Sequence, residues 1–256
     1  YQEGKNVYGE LDAPRKGCVD AIGKNRNGRL TPVWEDGLQG ILDAYLGDYP
    51  ARFTWNGKEY TPRSFADNVL ELHPEDYVLL SSYTHHPFFE QFVLEVPDNW
   101  NFGLVYNVPL DALMETIHYT LDHGFTVAWA SDVSDKGFDH RKGIAVMPAR
   151  EWDDMRKSEK DSVFLMPVEQ KTVTQQLRQQ AFDNYSRTDD HGMHILGIAV
   201  DQNGGKYYYV KNSWGVDRSK YDGHFYASEA FVAYKTMSIM LHKDAIPEAL
   251  QVKLGL

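Results

Sequence analysis

Apolar side chains recur at helical spacing in two stretches of the chain. In the first stretch, the apolar positions are Trp34, Leu38, Ile41, Leu42 and Tyr45. Pro32 precedes them at a position that suits a first helical turn, and Gly47 follows where a helix commonly ends. In the second stretch, residues 110–123, apolar side chains fall on one stripe. The pattern predicts a helix in each stretch.

Strand-like runs dominate the last third of the chain. Residues 194–200 and 206–211 are two such runs, joined by Asp-Gln-Asn-Gly-Gly, which is a strong hairpin signal. Shorter strand-like runs lie at residues 77–82, 125–130 and 237–241, and near Phe225. With helices grouped early and antiparallel strands late, the chain predicts an α+β fold.

The remaining segments carry weaker patterns. Residues 1–31 have no sustained period, and we expect a loop with little regular structure. A short helix is expected near Ser64, and a more polar helix over residues 173–184. Residues 151–170 are rich in charge, which is typical of a solvated surface insertion.

Charge and composition exclude several partners. The 256 residues include 37 acidic and 26 basic side chains, for a formal net charge of −11. An acidic chain repels phosphate backbones, so we expect no nucleic-acid partner. No apolar run approaches the roughly 18 to 20 residues of a membrane-spanning helix, so we expect no membrane partner. The single cysteine, Cys18, cannot close an internal disulfide, which leaves the compartment open.

The predicted hairpin brings together two side chains that can do chemistry. His191 lies at the mouth of its first strand and Asn212 at the far end of its second. Positions equidistant from the turn face each other, so we expect the two to be neighbours. The amide oxygen can accept the proton of one imidazole nitrogen and leave the other nitrogen for chemistry. An indole at Trp214 would cover that hydrogen bond and keep water from it. Taken alone, a His and an Asn at the end of a hairpin are also common as surface residues.

The sequence motifs around His191 and Asn212 are more specific than the two residues alone. Residues 190–197 read Asp-His-Gly-Met-His-Ile-Leu-Gly, and residues 211–215 read Lys-Asn-Ser-Trp-Gly. These segments resemble the His and Asn motifs of the papain-like cysteine peptidases. The resemblance implies that His191 is the acid and base, that Asn212 orients it, and that Trp214 supports both.

Further segments resemble the bleomycin hydrolase and aminopeptidase C branch of that family. They are residues 53–55, 58–62, 82–87, 97–100 and 242–247. The resemblance implies a thiol aminopeptidase that acts on peptides without a cofactor and assembles as a homo-hexamer. It favours a cytoplasmic location, which the residues themselves leave open. It also implies that the C-terminal tail enters the cleft, where the carboxylate of Leu256 would pair with the substrate α-amino group.

The same resemblance implies a fold and a division of the chain. We expect a papain-like α+β fold, with the antiparallel β-barrel half at the C-terminus and helical insertions before it. Residues 1–106 would form a mixed helical and loop region, and residues 107–256 the β-rich half that carries the His, the Asn and the tail. The family nucleophile, a Cys followed by Trp with a Gln upstream, has no match in this sequence. Since the chain begins at Tyr1 rather than Met, we expect a processed product or a fragment that lacks the nucleophile segment.

Two other functions stay open at this stage. One is a catalytically inactive binding or assembly module, and the other is an amidase that uses Cys18, with nearby Arg15 and Lys16 favouring a thiolate. No metal site is expected. His191 and His194 would point to opposite faces of a strand, and the adjacent His85 and His86 would also diverge along an extended chain.

Overall fold

The computed structural model describes residues 8–217 and 219–256. It divides the chain into two compact units, Tyr1–His73 and Pro74–Leu256. This division falls earlier than the expected boundary between residues 106 and 107. The reason is that three strands between residues 77 and 107 join the sheet of the second unit.

The described residues of the first unit form two helices, a small hairpin and a short helical segment after it. Its elements are α1 (Tyr8–Gly23), α2 (Val33–Leu46), β1 (Phe53–Trp55), β2 (Lys58–Tyr60) and α3 (Pro62–Phe65), followed by one π-helical turn, Ala66–Leu70. The predicted helix after Pro32 is confirmed, and Gly47 ends it with a positive φ of 83°. The short helix near Ser64 is also confirmed, because Thr61 and Ser64 cap each other's backbone at its start.

The loop expected over residues 1–31 is wrong for the part that the structure describes; residues 1–7 lie outside the described residues. Helix α1 occupies most of that part. Among its described side chains Leu11 is buried and the others are exposed or half-buried, so the helix has no apolar stripe that a periodicity argument detects. Its local support includes ion pairs such as Lys16–Asp20 at 2.6 Å, one turn apart.

In its described residues, the second unit contains a ten-stranded sheet and five α-helices. Its strands are β3 (Tyr77–Ser81), β4 (Gln91–Val93), β5 (Leu104–Asn107), β6 (Val127–Ser131), β7 (Phe138–Asp139), β8 (Ile144–Ala145), β9 (His191–Val200), β10 (Lys206–Lys211), β11 (His224–Ser228) and β12 (Thr236–His242). Its helices are α4 (Leu110–Asp122), α5 (Lys157–Ser162), α6 (Gln175–Asp183), α7 (Glu229–Lys235) and α8 (Glu248–Leu254). The α+β prediction is confirmed.

The strand order across this sheet is β4-β5-β3-β12-β6-β9-β10-β11-β8-β7. Most neighbours are antiparallel as expected, but β3 pairs with β5 and β11 pairs with β8 in parallel. Helix α4 packs on the sheet through Leu113 and Ile117, which are fully buried together with Trp129 and Ile195. This apolar core fixes the central strands that carry the candidate site.

The charged stretch expected as a solvated insertion, residues 151–170, is more anchored than the sequence suggested. It contains a 3-10 turn, Trp152–Asp154, and helix α5. Val163 is buried against Val146 and Tyr207, so the segment has its own small core. None of the helices among the described residues is long and apolar enough to span a bilayer.

Candidate active site

The hairpin β9–β10 sets the position of the site. Strand β9 begins at His191, three residues earlier than predicted. A bulge at Leu196 shifts the register so that Lys211 lies opposite His194. Asn212 therefore follows at the level of Met193, and His191 lies two residues further along the same face. On its other side His191 pairs with Ser131 of β6.

His191 and Asn212 are joined by a hydrogen bond. Nε2 of His191 lies 2.7 Å from Oδ1 of Asn212. Because a carboxamide oxygen only accepts, the imidazole carries its proton on Nε2 and donates it. Nδ1 then keeps a free lone pair in the neutral ring, which is the atom available for acid–base chemistry.

The carboxamide of Asn212 is held at both ends. Its Oδ1 also accepts the backbone N–H of Ser213 at 2.7 Å, which fixes that atom as the oxygen. Its Nδ2 donates to Nδ1 of His140 at 3.3 Å. The residue is buried, and its own backbone N–H donates to the carbonyl of Gly223 at 2.9 Å. Asn212 is therefore presented to His191 in one orientation.

Trp214 lies against both imidazoles. The centroid of its ring system is 4.8 Å from that of His191 and 5.0 Å from that of His140. The indole is 47% exposed, and it also contacts Phe138, with ring centroids 5.7 Å apart. This places an apolar surface beside the His191–Asn212 bond, where excluded water strengthens it.

His140 is a residue of the site that sequence reasoning missed. It directly follows β7 and is 8% exposed. Burial lowers the pKa of its imidazole, the charge on His191 lowers that pKa further, and Asp139 opposes the shift. No motif surrounds it, and only the packing of β7 beside β8 and Trp214 brings it to Asn212, so the sequence carried no signal for it.

A buried ion pair supports the loop that follows β6. Nζ of Lys235 lies 2.9 Å from Oδ2 of Asp132 and 3.0 Å from a carboxylate oxygen of Asp135. Lys235 and Asp132 are 3% and 1% exposed. The next residue, Val133, donates its backbone N–H to the carboxylate of Asp190 at 2.9 Å. The ion pair thus holds a loop that is hydrogen-bonded to the residue preceding His191.

Acidic side chains also lie just before His191. Burial, together with the smaller effect of the charges of Asp98 and Asp190, raises the pKa of Asp189 to about 6. A mostly apolar groove of about 570 Å³ is lined in part by Gly192, Asn212 and Ser213. The site therefore has an open groove next to its orienting amide.

Leu256 does not join this group, and Cys18 belongs to the other unit. Leu256 follows the end of α8, where its backbone N–H donates to Gln251 at 3.1 Å, and it makes no hydrogen bond to the site among the described residues. Cys18 lies in α1 of the first unit. The cations expected to favour a thiolate there are both paired with carboxylates, Arg15 with Asp12 and Lys16 with Asp20.

The expectation that His85 and His86 diverge is wrong. Their Nε2 atoms lie 3.2 Å and 2.9 Å from the two carboxylate oxygens of Glu95, and the three residues together have the spacing of a metal site. Gln179 opposes metal binding by His85. Its Oε1 accepts from the backbone of Thr84 and its Nε2 donates to Nδ1 of His85, so Nε2 of His85 carries a proton and has no lone pair for a metal.

The two histidines of β9 make separate contacts. His194 bonds Oγ1 of Thr126 at 2.7 Å through its Nε2 atom, whereas His191 bonds Asn212. Residues three apart on a strand lie on opposite faces, which explains the different partners.

Comparisons with known proteins identify the family of this chain. Residues 51–255 match the model of the Peptidase C1-like family. Aminopeptidase G of Lactobacillus delbrueckii subsp. lactis is 25% identical over 189 residues, which cover 73% of this chain and 40% of that protein. The crystal structure of PepW from Lactobacillus rhamnosis HN001 superposes with a TM-score of 0.62 at 18% identity, covering 96% of this chain and 55% of that one.

The fold and the match to the family model define a papain-like protein of the α+β class. The chain belongs to the Peptidase C1-like family. It spans about two fifths of the length of the aminopeptidase that it matches.

Proposed function

We propose that this chain supplies the histidine and asparagine of a cysteine peptidase site that acts as an aminopeptidase. The observation that carries the proposal is the 2.7 Å bond from Nε2 of His191 to Asn212. It leaves Nδ1 of His191 directed away from the amide, as a partner for a thiol. The family nucleophile is absent from this sequence, so the thiol belongs to a part of the natural protein outside this chain.

The chemistry follows from the free Nδ1 atom. His191 takes the thiol proton, so that the resting pair is thiolate and imidazolium. The thiolate attacks the peptide carbonyl carbon, and Nδ1–H of His191 protonates the leaving amine as the C–N bond breaks. Neutral His191 then removes a proton from water, whose oxygen attacks the thioester and expels the thiolate. Throughout, Asn212 stabilises the imidazolium and holds the ring plane.

The test is peptide hydrolysis by the full-length natural protein with His191→Ala. We expect kcat/KM to fall by about 10³-fold or more, since the general acid and base is lost. His194→Ala is the matched control, because His194 lies on the same strand and bonds Thr126 instead; it should retain activity. Turnover by the His191 variant within threefold of the parent would refute the assignment.

The nucleophile can be located in the same protein. An epoxide thiol reagent followed by peptide mapping should label a cysteine outside this chain, in a helix-start segment. Labelling at Cys18 together with loss of activity would favour the amidase alternative. An intact natural product with no reactive thiol and no turnover would favour an inactive binding or assembly module.

The aminopeptidase preference is the finer part of the proposal. It is supported by the likeness to Aminopeptidase G and by the sequence resemblance that assigns the carboxylate of Leu256 to the substrate α-amino group. Deleting Leu256 should lower the ratio of aminopeptidase to endopeptidase activity. An unchanged ratio would remove Leu256 from the site.

The homo-hexamer implied by the resemblance is also a proposal. Light scattering on the full-length natural protein should give six times the chain mass. A monomeric mass would contradict it.

A further inference from the structure

We propose that His140 is a positioning residue for the site, which fixes the orientation of the Asn212 carboxamide and so the tautomer of His191. This inference rests on the proposed function for its effect on turnover. Its structural part, the contact between His140 and Asn212, stands without it.

The contact has a defined direction. Nδ2 of Asn212 is a donor, so Nδ1 of His140 accepts at 3.3 Å. An Asn side chain that rotated by 180° would present its oxygen to His140 and its NH₂ to His191. A neutral His140 that carries its proton on Nε2 has a lone pair on Nδ1. This lone pair accepts a hydrogen bond from Nδ2 of Asn212, and it can make none with Oδ1. Together with the Ser213 N–H that donates to Oδ1, the acceptor on His140 therefore selects the orientation that serves His191.

Two features keep His140 neutral. Burial and the neighbouring charge of His191 both lower its pKa, and Asp139 is the opposing charge. The T-shaped contact with Trp214, at 77° between ring planes, covers one side of the imidazole. A ring held without charge keeps a lone pair on Nδ1 for the amide.

The other nitrogen of His140 indicates that packing alone does not explain the residue. Nε2 of His140 is buried and has no hydrogen-bond partner among the described residues. A buried N–H without a partner costs stability, so an apolar ring at this position would be at least as stable. The single polar bond that the His140 side chain makes within the described chain goes to Asn212. The residue thus costs stability and orients one amide.

The test uses two variants in the full-length natural protein. His140→Phe keeps a ring against Trp214 and removes the acceptor, whereas His140→Asn returns an oxygen near the place of Nδ1. We expect kcat to fall about tenfold in His140→Phe with KM within twofold of the parent, because the loss concerns proton transfer and not binding. His140→Asn should recover at least half of that loss. A kcat for His140→Phe within twofold of the parent, or an Asn variant as impaired as the Phe variant, would overturn the proposal.

A second measurement separates this inference from the proposed function. In the 256-residue chain, ¹⁵N NMR of the Asn212 side-chain amide reports the bond to His140 without any turnover. The hydrogen-bonded proton of this NH₂ should exchange with solvent at least tenfold faster in His140→Phe than in the parent, while the melting temperature stays equal or rises. If the natural protein hydrolyses no peptide, the proposed function fails and this exchange rate still decides the contact. An unchanged exchange rate, or a large fall in melting temperature in both variants, would leave His140 with only a packing role and refute the inference.

Discussion

The two ends of the β9–β10 hairpin use the same device for different purposes. At the turn, Oδ1 of Asp201 accepts two backbone N–H groups, from Asn203 and Gly205, each at 2.8 Å. At the open end, Oδ1 of Asn212 accepts one backbone N–H, from Ser213, and the imidazole N–H of His191. Each oxygen thus makes two bonds, but only one of the four partners is titratable.

The difference shows how a structural motif becomes a site. Asp201 accepts both hydrogen bonds from backbone N–H groups of its own loop, and this stabilises the turn. Oδ1 of Asn212 accepts one hydrogen bond from its own loop and the other from the imidazole of His191, whose second nitrogen stays free. A larger cavity, about 1070 Å³, lies at the turn end and is lined in part by Asp201, Asn203 and Gly205. Cavity size alone therefore does not mark the chemistry of this hairpin, whereas the partner of the amide does.

The largest effect is expected from breaking the ion pair that supports the open end. Lys235→Met leaves the carboxylate of Asp132 buried without its close partner, 2.9 Å away in the parent. The free energy of unfolding should fall by about 3–5 kcal/mol. Urea denaturation of the 256-residue chain measures it.

The matched control for that change is an exposed ion pair. Lys136 and Asp153 are 3.1 Å apart and 66% and 89% exposed. Lys136→Met should leave the free energy of unfolding almost unchanged, because water screens an exposed pair. Equal losses in the two variants would show that burial does not govern the pair.

The next effect concerns activity. Asn212→Ala removes the acceptor of His191, so kcat/KM for peptide hydrolysis by the full-length natural protein should fall by about 100-fold. The imidazolium loses a stabilising partner and the ring loses its fixed plane. Steady-state kinetics measure the loss, and a change of less than threefold would show that Asn212 does not orient His191.

The corresponding change at the turn should act on stability and not on activity. Asp201→Ala removes two hydrogen bonds to backbone N–H groups, which lowers the free energy of unfolding by about 1–2 kcal/mol. Activity of the full-length natural protein should stay within twofold of the parent. A large loss of turnover in this variant would mean that the two ends are coupled, and the comparison would fail.

The smallest effect is the pH dependence of the ion pair. Burial by itself raises the pKa of Asp132, but hydrogen bonds from Ser134 and Lys235 outweigh burial and hold that pKa below its ordinary value. A lowered pKa stabilises the fold above the unfolded value of 3.8, and the contribution is lost as pH falls through the folded value. The stability gap between the parent and Lys235→Met should therefore be smaller at pH 3 than at pH 7. A gap that widens at pH 3 would contradict this sign.

The elements with a strong period or turn signal could be predicted from the sequence. Helices α2 and α4 carry apolar stripes, and the turn sequence after Val200 specifies the hairpin, so His191 and Asn212 could be placed side by side. Helix α1 could not be predicted, because a helix with one buried described side chain, Leu11, lacks a stripe. Ion pairs one turn apart, such as Lys16–Asp20, and a contact with α2 from Tyr45 to Glu10 support it instead.

The contacts of the site that join distant segments could not be predicted from the sequence either. His140 reaches Asn212 across 72 positions, and Lys235 reaches Asp132 across 103. Neither pair has a spacing rule, since both depend on which strands are neighbours in the sheet.

The most direct test of the account is the tautomer of His191 in the 256-residue chain. Long-range ¹H–¹⁵N correlation at a pH where the ring is neutral distinguishes a proton on Nε2 from one on Nδ1. We expect the proton on Nε2 in the parent, and a loss of that preference in Asn212→Ala. A proton on Nδ1 in the parent, or the same spectrum in both proteins, would contradict it.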